Sequence, residues 1–192
     1  MGIDLDDLMN EALREAEKAF AKDEVPVGAV LAGPDGKILS RSHNQPISLK
    51  DPTAHAEILA LRNAGRIYEN YRLEGSTLVV TIEPCPMCMG AALNARISRL
   101  VFGAFDPRSG AAGSLYNLAS DPRLNHRIEV VSGIKERACA GLIRRFFQTR
   151  RGEKMKSRRG TEVVVTGSTR NRFVPLEAGH VGSNPTLSAI PK

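Results

Sequence analysis

The chain has 192 residues, 42% of them hydrophobic, with a net charge of +6, no tryptophan and three cysteines. That length suits one sizeable core with an appendage better than two domains, and so few aromatic rings argue against a carbohydrate platform or a broad base-stacking surface. An odd, small cysteine count is unlike a secreted disulfide framework and points to a reducing compartment.

The acidic start MGIDLDDLMNEALREAEKAF lacks the basic region and cleavage site of a signal peptide. No apolar run reaches the ~18 residues that cross a bilayer. A soluble, cytoplasmic protein with no membrane partner is therefore expected. Leu5, Leu8, Met9, Ala12, Leu13, Ala16 and Phe20 recur at helical spacing and predict an amphipathic helix over 4–22. VPVGAVLA, the turn GPDG and KILSRSHN read as a β-hairpin. Thr53 is placed to cap a helix that runs to about Asn63 and is ended by Gly65. TLVVTIE (77–83) is a continuous apolar strand, CPMCMGAALNAR (85–96) a helix with Pro86 in its first turn, and RLVFGA (99–104) another strand. A Gly/Ala/Ser-rich loop then leads to a short helix near Leu115, a last strand in IEVVSG, and a long helix over 135–158. This order predicts an α/β protein with a mixed sheet of about five strands and helices on both faces.

The location of the positive charge is more informative than its sum. Residues 1–134 hold 14 Lys/Arg against 17 Asp/Glu, and residues 160–192 hold 3 against 2. Residues 135–159 hold 10 against 2. Cations suit a helix C-terminus in any protein, but such a cluster is also the electrostatic footprint of a polyanion-binding surface.

The chemistry centres on Cys85-x-x-Cys88, whose spacing puts both sulfurs on one face of a helical turn, where they can close on one metal ion. Cys85 sits where the helix dipole favours thiolate. A thioredoxin-like redox pair is an alternative, but it leaves His55 and Glu57 unused. A structural zinc site needs a fourth ligand from His43, His126, His180 or Cys139, none of which belongs to a second paired knuckle. Three ligands with an open position describe a catalytic zinc instead. Neutral His55 and two thiolates around Zn²⁺ sum to zero charge, so a bound water stays ionisable, with a pKa near ~7. Glu57 is the candidate proton acceptor. Residues two apart on an ideal helix do not face the same way, however, so spacing alone does not put Glu57 in the site.

His-x-Glu with Pro-Cys-x-x-Cys is the signature of zinc-dependent nucleobase deaminases. With DEVPVGAV (23–30), HNQPI (43–47), DPTAHAEI (51–58), TIEPCPMC (81–88), GAAGSL (110–115) and NHRIEV (125–130), residues 5–155 resemble the bacterial tRNA-specific adenosine deaminase family. The resemblance implies a three-layer α/β/α cytidine-deaminase-like fold, a homodimer, one zinc ion per subunit, and conversion of adenosine to inosine at the wobble position of a tRNA anticodon stem-loop. His55, Cys85 and Cys88 would hold the metal. Water activated there would attack C6 of the flipped adenine, and Glu57 would pass the abstracted proton to N1. Asn44 matches the family's base-contacting asparagine, with a turn role as the alternative. Asp106 matches a loop aspartate near the substrate ribose, where a carboxylate accepts from a 2′-OH; its alternative is a turn aspartate before Pro107. Arg144, Arg145, Arg150, Arg151, Lys154 and Lys156 are candidates for the RNA backbone.

The chain also departs from the family. Phe105 stands where an arginine is frequent, and Cys139, beside Leu142 and Phe146 on the apolar face, reads as a core thiol. Residues 1–159 are expected to form the deaminase domain. Residues 160–192, rich in Gly, Ser, Thr, Pro and Asn, are expected to be a disordered extension with too few apolar residues for a second core. GSNP within it is compatible with the T-arm of a tRNA gene read in frame. Two other functions share parts of the pattern. A free guanine- or cytosine-type deaminase would not need the basic helix, and a zinc-stabilised RNA-binding module would not need Glu57.

Overall fold

A computed structural model describes the backbone of residues 4–159 and the side chains of residues 4–152. Its centre is a sheet of β1 (Gly28–Ala32), β2 (Ile38–His43), β3 (Thr77–Ile82), β4 (Arg99–Ala104) and β5 (Glu129–Ser132), in the spatial order β2-β1-β3-β4-β5. β1 pairs antiparallel with β2 and β3, whereas β3, β4 and β5 run parallel. The helices α1 (Leu5–Ala21) and α5 (Glu136–Arg159) pack on one face, and α3 (Ala56–Tyr68) and α4 (Pro86–Asn94) belong to the other. This is the expected three-layer α/β/α arrangement.

Strand alternation sorts the core into its two halves. Leu31, Leu78, Val80, Leu100 and Phe102 pack with Ala60 and Leu61 of α3 and Met89 of α4. Val30, Val79 and Val101 pack with Leu8 and Met9 of α1 and Cys139 of α5. Because β3 is covered on both faces, its centre, Leu78, Val79 and Val80, is apolar on both sides. Phe102 is almost fully buried, and truncating such a ring to alanine costs about 3–5 kcal/mol. At Gly28 a Cβ would overlap the Ala12 carbonyl, so glycine there lets α1 lie directly on the start of β1.

The strand registers bring particular chain ends together. Gly28 pairs with His43 and Ala29 with Val80, and Ile82 lies beside Ala104. The start of β1, the end of β2 and the ends of β3 and β4 therefore meet at one edge of the fold. Ligand sites in such sheets sit outside the carboxyl ends of the parallel strands.

Three local expectations need correction. Thr53 does not cap α3: its hydroxyl donates to Asp51 at 2.7 Å, and the helix starts at Ala56 with His55 as N-cap. Gly65 does not end α3, which continues to Tyr68 and stops where Glu69 turns left-handed (φ 50°), because a glycine ends a helix only when it adopts the left-handed turn itself. No helix forms near Leu115. That segment folds as turns with one isolated bridge, Ala112 to Asn117, because a buried carboxylate takes up its backbone donors. An unforeseen single-turn helix, α2 (Pro46–Leu49), is held by Glu24, whose carboxylate accepts from the Ile47 and Ser48 amides.

Candidate metal centre and active site

α3 and α4 open in the same way. His55 (φ −72°, ψ 152°) and Cys85 (φ −74°, ψ 170°) are extended N-cap residues whose side chains do not cap their own helices. Each side chain is thereby turned out of the helix and left for another partner. Pro86 at the first helical position of α4 costs nothing, since that amide has no intrahelical acceptor. Cys88 follows one turn later. The Cys85 and Cys88 sulfurs lie 3.7 Å apart, and His55 Nδ1 is 3.8 Å from Cys85 Sγ and 3.5 Å from Cys88 Sγ. A tetrahedral zinc with ordinary bond lengths requires about 3.8 Å between two sulfurs and about 3.6 Å between sulfur and nitrogen. The three donors fit zinc, and among the described residues they are the one His/Cys/Asp/Glu group placed to hold a metal ion.

The hydrogen bond from Cys88 lowers the Cys85 thiol to about 4, and the same contact, with burial, pushes Cys88 up. Metal binding at such a pair requires both thiols to be deprotonated, so it releases protons. The contact with Cys85 raises His55. Two helix N-termini facing the cluster add positive potential that favours thiolate.

Glu57 is buried at 3% exposure and lies against the Cys88 sulfur, in the field of His55. Burial pushes its carboxyl up from the ordinary range. The facing problem raised by its spacing disappears here, because His55 is extended and only Glu57 is helical. Asn44 is also buried, and its Oδ1 accepts the Ala56 amide at 2.8 Å, so Asn44 caps α3 from outside the helix. That bond fixes the amide orientation and directs Nδ2 away from the helix. No described side-chain nitrogen or oxygen is buried without a partner, so Nδ2, with no partner among the described residues, reaches solvent.

Asp106 begins the loop after β4. Its Oδ1 accepts the Arg108 and Ser109 amides at 2.9 and 3.3 Å, and its Oδ2 accepts the Ser109 hydroxyl at 2.5 Å. It is a turn aspartate with some remaining acceptor capacity. Phe105 beside it is 48% exposed and stands edge-on to Phe102, with ring centroids 5.1 Å apart.

The basic residues of α5 separate by position. Cys139, Leu142 and Phe146 face the core. Arg145 and Arg150 flank that stripe and cover aromatic rings, Arg145 at 5.2 Å over Phe20 and Arg150 at 5.5 Å over Phe146. Arg150 also donates to the Asp23 carbonyl at 3.0 Å and lies 3.7 Å from its carboxylate. Arg144 and Arg151, seven residues apart, share the opposite, exposed face and form no ion pair among the described residues. The Lys154 and Lys156 side chains lie outside the described ones.

None of the spare ligand candidates among the described residues reaches the metal cluster. His43 bonds Glu15 at 2.9 Å and Lys22 at 3.1 Å, and His126 bonds the Ile97 carbonyl at 2.7 Å. Cys139 is buried 3.8 Å from Met9 Sδ, with its thiol raised by burial to about 11. His180 lies outside the described residues. Sequence reasoning missed Glu83 and Glu24, both buried. The signal for Glu83 was present: a carboxylate closing an apolar strand requires donors.

Comparison with known proteins agrees with this geometry. The family model of the cytidine and deoxycytidylate deaminase zinc-binding region matches residues 3–104. A tRNA-specific adenosine deaminase of Bacillus subtilis (strain 168) is 47% identical over 79% of this chain and 93% of its own. One of Haemophilus influenzae is 50% identical over 77% and 85%. A solved structure from a study of A-to-I editing by tRNA deaminases at the wobble position superposes with a TM-score of 0.69 at 45% identity, covering 71% of this chain and 98% of that one. Guanine deaminase from Nitrosomonas europaea, at 24% identity and a TM-score of 0.62, shares the fold alone. By its ligand geometry, its fold and these relatives, the chain belongs to the tRNA-specific adenosine deaminases, within the cytidine and deoxycytidylate deaminase zinc-binding family.

Proposed function

We propose that the protein hydrolytically deaminates adenosine to inosine at the wobble position of a tRNA anticodon. The observation that carries this reading is a three-donor zinc site with a buried carboxylate against one of its sulfurs. When bound by His55, Cys85 and Cys88, zinc supplies an activated water at neutral pH. Glu57 is placed to hold and move the reaction's proton, delivering it to N1 of the adenine and assisting departure of ammonia. Burial keeps bulk water from competing for its proton. Asn44 holds α3 through Oδ1 and offers Nδ2 to the base. Asp106 accepts from the ribose 2′-OH, while the Ser109 hydroxyl steadies its other oxygen. Phosphate contact falls to Arg144 and Arg151, two exposed cations on the face of α5 opposite the core; Arg145 and Arg150 support the helix against aromatic rings.

A homodimer fits the groove between α3 and α4, where Ile58, Leu61, Met87 and Ala91 form an apolar floor. No described helix is long and apolar enough to cross a membrane, and tRNA as substrate fits a cytoplasmic place of action. Residues 1–159 would carry the whole activity, with residues 160–192, which lie outside the described residues, dispensable. The deciding experiment is inosine mapping in bulk tRNA incubated with purified protein, with free guanine, cytosine and adenosine assayed alongside. Inosine at the wobble position, with no turnover of the free compounds, is the expected result. Turnover of a free base without tRNA editing would overturn it.

A further inference from the structure

We infer that Glu83 is a positioning residue that sets the Asp106 loop against the metal-ligand segment and thereby governs recognition of the edited nucleotide's sugar; this rests on the RNA substrate proposed above. Glu83 is 2% exposed at the end of an apolar strand, two residues before Cys85. A carboxylate there is costly unless its oxygens are hydrogen-bonded. All of its side-chain partners come from the loop after β4. Oε1 accepts the Ala112 amide at 3.0 Å and the Ser114 amide at 2.9 Å. Oε2 accepts the Asp106 amide at 3.1 Å and the Ser114 hydroxyl.

The backbone continues the same closure. Ala111 donates to the Pro84 carbonyl at 2.8 Å, Glu83 to the Ala104 carbonyl at 2.8 Å, and Gly110 to the Asp106 carbonyl at 2.8 Å. A Cβ at Gly110 would overlap the carboxylate, so the loop is wrapped tightly around that one charged group. Four donors from three points of a nine-residue span, 106–114, over-determine the loop. The peptide that bears Cys85 and the loop that bears Asp106 are thereby held as one unit.

Glu83→Gln separates this role from general support. The Gln carbonyl can replace Oε1 and keep the Ala112 and Ser114 amides. Its NH₂ replaces Oε2, where the Ser114 hydroxyl can reverse and accept but the Asp106 amide cannot. The substitution thus unpins Asp106 selectively. The probe is a synthetic anticodon stem-loop carrying either adenosine or deoxyadenosine at the edited position. The variant should keep one zinc per chain and raise KM for the ribose substrate by roughly tenfold, the scale of one charge-assisted hydrogen bond, with a smaller change in kcat. Discrimination against deoxyadenosine should narrow. Asp106→Asn should do the same, and the double variant should be no worse than Asp106→Asn alone, because both act through one contact.

Additive losses, zinc loss or unchanged sugar discrimination would overturn the inference. If Glu83→Gln does not fold, Ser114→Ala removes one donor from the same oxygen and should narrow discrimination less, in the same direction; unchanged discrimination there would also overturn it. A wild-type protein inactive on the stem-loop refutes the substrate reading. A wild type active on it, with the variants indistinguishable from it, refutes the positioning role alone.

Discussion

In the metal pocket the ionisable groups are buried or half-buried and touch one another, whereas on α5 Arg144 and Arg151 stand in solvent with no ion pair among the described residues. Charges interact strongly where water is excluded and weakly where it is not. The pocket should therefore respond to single substitutions almost completely, and the helix by small, graded, salt-dependent steps.

The largest expected effect is at Cys88. A serine hydroxyl does not ionise to replace the thiolate, so Cys88→Ser should lose both zinc, by metal analysis, and deamination; a variant that keeps full zinc would break the contrast. Glu57→Ala comes next. The carboxylate touches a ligand without belonging to the metal triad, so zinc and stem-loop binding should persist while turnover falls by ~10²-fold or more. Zinc loss in that variant would contradict the role of proton carrier.

Replacing Arg144 and Arg151 together by glutamine should weaken stem-loop affinity and flatten the dependence of log K on log salt by about 0.7 for each single-strand phosphate contact removed. Zinc content should stay constant. Arg150→Gln should leave that slope unchanged and lower thermal stability slightly, because its contacts are with Asp23 and Phe146. A reversed pattern would show that the exposed face is not the footprint. The smallest effect is expected from ending the chain at Arg159, with melting temperature and turnover both nearly unchanged.

Much of the site was legible because its chemistry is local. Pro-Cys-x-x-Cys marks a helix start with two sulfurs one turn apart, and His-x-Glu after a proline turn supplies a nitrogen ligand and a carboxylate. Other features were not legible. Thr53 looked like the cap of α3, but its hydroxyl is used by Asp51, and the capping oxygen comes from Asn44, twelve residues before Ala56. Six basic residues of α5 looked equivalent in a string of letters. Helical rotation about the Phe146 stripe, together with the ring of Phe20 from another helix, separates the arginines that cover rings, Arg145 and Arg150, from Arg144 and Arg151 on the opposite face.

The sequence by itself determined the ligand types, the alternation that splits the core into two layers, and the starts of α1 and α4, because capping, proline geometry and side-chain periodicity act within a few residues. Only the tertiary structure decided that His55 meets Cys85 thirty residues away, that Glu57 and Glu83 are buried with partners, and which cations remain in solvent. Those outcomes depend on where distant segments cross. Strand register and helix packing set the crossings through many weak contacts summed over the whole core.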